Sequence, residues 1–201
     1  MDFVLRIVFP LFVLSFGQFL SVSNGQEERF PIGMITVSNG QRWGSWAYRK
    51  DFCPYRTFAS GFSLKVERLV GDGDNTALNG IALRCTVLEA ENKLYSTVKS
   101  DVGSWGVWTQ DIWCKNGVLS AFQLRVENFQ ENDDDTAVNN IRFLCTSGEI
   151  LTGNGMSWGE WGKWSPSCNG AGICGIQTRV EPMQFTGDDT ALNDVRFYCC
   201  N

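Results

Sequence analysis

No histidine occurs anywhere in the 201 residues. That removes every histidine-based catalytic triad. With no Cys-x-x-Cys pair either, it argues against a zinc site. No Asn-x-Ser/Thr triplet is present, so N-glycosylation is not expected. A formal net charge of −5 with no basic run excludes a nucleic-acid binder and gives no attraction to anionic membranes. No glycine-rich loop follows a phosphate-binding pattern. After residue 25 no stretch approaches membrane-spanning length. None sustains a 3.6-residue period over ten residues either, so the chain reads as all-β. Nothing calls for a cofactor, and no metal is expected.

What is present begins with a leader. Met1 to Gly25 carries one basic residue, Arg6, then the apolar run Ile7 to Phe16, then small residues at Ser21, Ser23 and Gly25. This is the pattern of a secretory signal peptide cut near residues 23 to 25. It leaves one domain over 26–201, large enough for a sizeable core, in a secreted, extracellular protein. The eight cysteines all fall in that part. An even count in a secreted chain indicates disulfides.

The mature chain repeats itself three times. Blocks of 24 residues starting at Phe62, Phe122 and Ile176 align without a gap, and seven positions are identical in all three. Each block follows a Trp-x-x-Trp and a cysteine. The repeats run over about 30–91, 92–146 and 147–201, and a period of this length marks one structural unit used three times. Equivalent positions should make equivalent bonds. The expected pairs are therefore Cys53–Cys85, Cys114–Cys145 and Cys168–Cys199, leaving Cys174 to Cys200. Each is worth roughly 3–4 kcal/mol in the chain-entropy model.

Within each block the apolar period is two: Phe62, Leu64, Val66; Phe122, Leu124, Val126; Ile176, Thr178, Val180. That is a half-buried strand. The closing segments Ile81–Cys85, Ile141–Cys145 and Val195–Cys199 alternate likewise, and further strands are expected around 32–37, 94–99 and 149–152. The count is about four short strands per repeat and about twelve in all. Four strands cannot bury an apolar face alone, so three small sheets must pack together, and a triangular prism satisfies this.

Three constellations are candidates for chemistry. The first is the repeated turn: Asp74, Asn75, Thr76, Asn79; Asp134, Asp135, Thr136, Asn139; Asp188, Asp189, Thr190, Asn193. Paired carboxylates serve glycosyl transfer. Adjacent Asp residues on a strand point to opposite faces, however, so a working pair must come from different loops. The competing reading, which threefold recurrence favours, is a turn that bonds its own backbone. Oxygen-rich stretches at 72–75 and 131–135 suit Ca²⁺ weakly, since neither has calcium-hand spacing. The second is the set Glu67, Glu127 and Glu181, each two residues after a basic Lys65, Arg125 or Arg179. It reads as exposed ion pairs or as a ring of carboxylates in a cleft. The third is tryptophan. The pairs Trp43/Trp46, Trp105/Trp108 and Trp158/Trp161 can be read as sugar-stacking platforms, but residues three apart on a strand face opposite ways, so at least one member of each pair is expected in the core. The unrepeated Trp113 and Trp164 are the expected surface-recognition residues.

Three copies of Trp-x-x-Trp, then Cys, then Val-Glu, then Asp-x-Thr-Ala-x-Asn, then Cys resemble the vitelline membrane outer layer protein family, type I, over the whole mature chain. The resemblance implies a β-prism of three Greek-key four-stranded sheets about a pseudo-threefold axis, related in architecture to jacalin-type plant lectins and one domain of insecticidal δ-endotoxins. It implies a secreted structural component of an outer egg coat whose partners are coat or matrix proteins. It also implies a link to oligosaccharide transfer on N-acetylglucosamine chains. The alternatives to a coat component are a lectin-like binder of N-acetylglucosamine-containing glycans and a carboxylate-dependent transferase or hydrolase.

Overall fold

The computed structural model describes residues 29–68, 76–88, 96–127, 137–182 and 191–201. These hold no helix and fourteen strands: β1 (Gly33–Ile35), β2 (Ser45–Trp46), β3 (Asp51–Phe52), β4 (Thr57–Val66), β5 (Leu78–Val87), β6 (Ser96–Lys99), β7 (Val107–Trp108), β8 (Ile112–Trp113), β9 (Leu119–Val126), β10 (Val138–Cys145), β11 (Ile150–Thr152), β12 (Glu160–Trp161), β13 (Gly172–Val180) and β14 (Leu192–Cys200). The expected signal peptide and the turns carrying Asp74, Asn75, Asp134, Asp135, Thr136, Asp188, Asp189 and Thr190 lie outside the described residues.

The alternating blocks form the three long hairpins, β4–β5, β9–β10 and β13–β14. Their Phe62↔Leu83, Phe122↔Phe143 and Ile176↔Phe197 pairs occupy the same place in each. All six residues are fully buried. The rings meet at 4.7 Å (Phe62–Phe143), 4.8 Å (Phe122–Phe197) and 5.2 Å (Phe143–Phe197) between centroids. This cluster joins the three sheets on the pseudo-axis, with edge-to-face or tilted contacts each worth about 0.5–1.5 kcal/mol beyond area burial.

The sheets do not coincide with the sequence repeats. Sheet one has the order β6-β5-β4-β7 with β8 also on β4. Sheet two is β11-β10-β9-β12. Sheet three is β1-β14-β13-β2 with β3 also on β13. Each sheet therefore takes its hairpin from one repeat and its short strands from the next, and the third hairpin takes strands from the first repeat. In every sheet the fourth strand returns beside the first, which is a Greek key. The count exceeds twelve because β3 and β8, just before Cys53 and Cys114, pair with Gly175 and Gly61.

Each long hairpin has a register shift near its start, at Ser60, Ser120 and Cys174. A bulge turns one carbonyl out of the ladder, and here each accepts the N–H of a cysteine from another repeat. Cys114 N donates to Ser60 O, Cys168 N to Ser120 O and Cys53 N to Cys174 O, all at 2.8 Å. Those cysteines are bonded as Cys53–Cys85, Cys114–Cys145 and Cys168–Cys199. Cys53 sits on sheet three and Cys85 in sheet one, Cys114 on sheet one and Cys145 in sheet two, Cys168 on sheet two and Cys199 in sheet three. Three covalent bonds thus tie the three sheets into a ring. The fourth, Cys174–Cys200, stays within one hairpin.

Candidate functional site

The repeated Val-Glu segments meet the Ala-x-Asn segments at the turn end of each hairpin. Glu67, Glu127 and Glu181 donate their N–H groups to Ala77, Ala137 and Ala191 carbonyls at 2.8, 3.0 and 2.8 Å. In the first copy the Glu67 carboxylate also accepts from Thr76 N (3.3 Å) and Thr76 Oγ1 (2.6 Å). Asn79 Nδ2 donates to Thr76 Oγ1 (2.6 Å), and Asn79 Oδ1 accepts from Trp105 N (3.1 Å). Ala77 and Ala191 lie at φ 49° and 45°, a left-handed conformation that side chains rarely adopt without surrounding support. Asn79, Asn139 and Asn193 are fully buried. In this first copy the motif clasps its hairpin and holds the tryptophan loop of the following repeat. The three Glu residues stand one per sheet.

The basic residues beside them bind backbone. Lys65 Nζ donates to Gly103 O (2.7 Å) and Ser104 O (2.9 Å), Arg125 Nε to Gly159 O (2.9 Å) and Arg179 Nε to Gly44 O (3.2 Å). Each of these cations thus caps carbonyls of the loop that leads into the neighbouring edge strand.

None of the six paired tryptophans is in the core. Trp43, Trp105 and Trp108 are exposed, and Trp46, Trp158 and Trp161 are half-buried. The expectation of one inward ring per pair assumed a continuous strand. Each pair is in fact Trp-Gly-x-Trp, with Gly44, Gly106 and Gly159 at φ 70°, 82° and 69°. A Cβ there would collide with the backbone of Val180, Val66 and Val126. The glycine kink lays each pair on the outside of a neighbouring hairpin, and phenylalanine fills the axis instead. The second ring of each pair carries a cation: Arg196 over Trp46 (4.2 Å), Arg142 over Trp161 (4.1 Å) and Lys99 over Trp108 (5.7 Å). Such contacts are worth about 0.5–1 kcal/mol when exposed. Ala82 aligns with Arg142 and Arg196, and it pairs in register with Lys99. In sheet one the cation therefore comes from the adjacent strand.

Of the two unrepeated tryptophans, Trp164 is exposed at 38%. Trp113 is half-buried, its ring close over Gly61. Phe52 covers Gly175 in the same way, so Trp113 is the second repeat's version of Phe52. Among the described residues no cluster of three or more His, Cys, Asp or Glu is arranged to hold a metal.

A groove of about 450 Å³ opens beside Trp108, between sheet one and the 153–155 loop of sheet two. Val66, Arg68, Gln110 and Asn154 also line it. Of this groove only Trp108, in one of the tryptophan pairs, and Val66, in an alternating strand, stood out in the sequence, while Arg68, Gln110 and Asn154 belong to no motif.

Three inward-facing sheets around an axis, tied by cysteines and bearing aromatic loops outside, define a β-prism of the kind found in jacalin-type lectins. A solved lectin described as Calsepa in complex with bisected glycan superposes with a TM-score of 0.50 at 12% identity, over 87% of this chain and 100% of that one. The family model described as Vitelline membrane outer layer protein I matches residues 33–201. Vitelline membrane outer layer protein 1 homolog of Mus musculus is 44% identical over 97% of this chain and 96% of its own length. The protein of the same description from Homo sapiens is 50% identical over 83% of this chain and 82% of its own. The chain belongs to the vitelline membrane outer layer protein I family.

Proposed function

We propose that this protein is a secreted structural component of an extracellular coat of the vitelline outer-layer type, with coat or matrix proteins as its partners. The disulfide ring carries this reading. Three bonds linking sheet to sheet resist local opening in an oxidising, protease-bearing exterior. They serve persistence, and nothing in the clasp or the core requires turnover. The test is expression of the full chain in secretory cells, followed by cosedimentation of the secreted protein with isolated egg-coat material. The expected result is a protein in the medium with all eight cysteines oxidised that pellets with the coat. Retention in the cell, or no association with coat material, overturns it.

A second reading, a lectin-like binder of glycans, is favoured by one observation: indole rings held outward at the sheet surfaces by glycine kinks and cations, as a pyranose face requires. Trp164, and Trp113 at its exposed edge, are contact candidates in this reading. A carboxylate-dependent transfer on N-acetylglucosamine oligomers would draw on Asp74, Asp134, Asp135, Asp188 and Asp189 or on Glu67, Glu127 and Glu181. The Thr76 clasp weighs against Glu67. Mass spectrometry of N-acetylglucosamine oligomers incubated with the protein tests that chemistry, and an unchanged chain-length distribution removes it.

A further inference from the structure

The three sheet-to-sheet seams follow one plan with different residues, and the groove lies at the seam between sheets one and two. At the seam between sheets two and three, Gly162 N donates to Leu124 O (2.9 Å), and the Asn39 side chain is seated directly on Gly162. Its Nδ2 donates to the same Leu124 carbonyl at 3.1 Å. At the seam between sheets three and one, Ala47 N donates to Thr178 O (2.9 Å), and Thr178 bonds Ser100 Oγ (3.1 Å) and Asp101 O (2.6 Å). Both seams are therefore stitched by polar contacts.

At the seam between sheets one and two the aligned residues differ. Thr109 replaces Gly162 and donates its N–H to Leu64 O at 2.7 Å, while its hydroxyl accepts from Leu64 N at 3.1 Å. Asn154 aligns with Asn39, because each lies two residues before the N–H that bonds a buried asparagine carbonyl: Met156 N to Asn139 O, and Gln41 N to Asn193 O, both 2.8 Å. The threonine side chain occupies the seat that the asparagine takes elsewhere. Asn154 stands off on its glycine-flanked loop, and the groove opens between it and Trp108.

The lining has a definite chemistry. Trp108 keeps 38% of its surface exposed, the amides of Gln110 and Asn154 offer donors and acceptors, and Arg68 supplies a guanidinium. In a chain of net charge −5, the described residues that line the groove include one cation and no carboxylate. Lys99 lies 5.7 Å from the Trp108 ring and adds to the positive field. An indole suits a pyranose face, amides suit hydroxyls, and a guanidinium fork suits a carboxylate. The geometry points to this groove as a binding site for an acidic saccharide, its ring on Trp108 and its carboxylate on Arg68. The inference rests on the lectin-like reading above and adds the site and the class of sugar.

The test is titration of the oxidised full-length secreted protein with 3′-sialyllactose and with a hyaluronan tetrasaccharide. Lactose and N-acetylchitotetraose are the neutral comparisons, and tryptophan fluorescence and calorimetry are the readouts. Saturable binding of an acidic sugar, at least about tenfold tighter than its neutral counterpart, is expected. Trp108→Ala should weaken it at least about tenfold. Arg68→Gln should bring acidic and neutral affinities together. Thr109→Gly should weaken it by letting Asn154 seat and close the groove, in a protein whose melting temperature shows that it folds. Equal binding of neutral sugars with Arg68→Gln silent overturns the acidic class and leaves the lectin-like reading. Binding unchanged in both Trp108→Ala and Thr109→Gly overturns the site. No binding of any sugar overturns both, while coat cosedimentation is judged separately.

Discussion

The first and third hairpins solve the same packing problem with different chemistry. At the bulge of β4, Ser60 faces Thr86, and the two hydroxyls hydrogen-bond at 2.9 Å. At the aligned positions of β13 and β14 stand Cys174 and Cys200, joined covalently. Where Gly80 of the first hairpin meets Val102, Asp194 of the third meets Gly40, and Asn140 of the second meets Gly155. Bulk is exchanged across the contact while the backbone is kept. The lesson is that the threefold scaffold is fixed by bulges, clasps and ring disulfides, and that side chains on it vary in compensating sets.

The largest break in that pattern comes from the ring. Cys114→Ala with Cys145→Ala frees sheet one from sheet two. It should cost about 3–4 kcal/mol in urea unfolding, the chain-entropy value for a loop of about 30 residues. A loss below about 1 kcal/mol would mean that the ring does not carry stability.

Asp194→Asn comes next. Burial, partly offset by the Val195 N–H at 2.8 Å and by Arg179 and Arg196, raises this carboxyl to about 6. The folded state thus favours the neutral acid. The cost of ionising it is absent below about pH 4, grows between about pH 4 and 6, and is complete above. Stability of the native protein should therefore fall as pH rises through that window. The asparagine that the second hairpin already uses should gain up to about 3 kcal/mol at pH 8 and nothing at pH 4. Thermal melts of both proteins across that range decide it.

Converting the third hairpin to the first, by Cys174→Ser with Cys200→Thr, should cost about 2–3 kcal/mol. In the chain-entropy model this bond is worth nearly as much as a ring bond, and the hydroxyl pair that replaces it returns about 1 kcal/mol. A loss as large as that of the ring bond would erase the distinction drawn between them. The smallest effect is expected at the cations. Lys99→Ala should cost about 0.5–1 kcal/mol, and adding Ala82→Arg should restore it by supplying the cation from the strand that carries it in the other two sheets. Failure of that rescue would separate the three Trp sites energetically.

Much of this was legible in the sequence because it depends on alternation and repetition. Period-two blocks located the long strands, and equivalence of repeats named Cys53–Cys85, Cys114–Cys145, Cys168–Cys199 and Cys174–Cys200. Repetition gives a period but not a phase, so it did not show that β6 and β7 belong to the hairpin before them. The tryptophans were misplaced because spacing alone was weighed. The glycine inside each pair was the available signal, and its left-handed backbone turns the rings outward. The groove was not legible at all, since it follows from a single exchange, Thr109 for the glycine at 162, whose meaning requires knowing that residues 39 and 154 face those positions.

Sheet three draws β1 and β2 from near residue 40 and β13 and β14 from beyond residue 170. A ribosome therefore delivers the halves of sheets one and two close together in time, but those of sheet three at opposite ends of synthesis. Until β13 emerges, Ser45, Trp46 and the Cys53 amide have no ladder to join, and the Cys168–Cys199 bond cannot close. The last sheet made is the one that shuts the prism, so an arrested chain is held open at one side with its phenylalanine axis exposed.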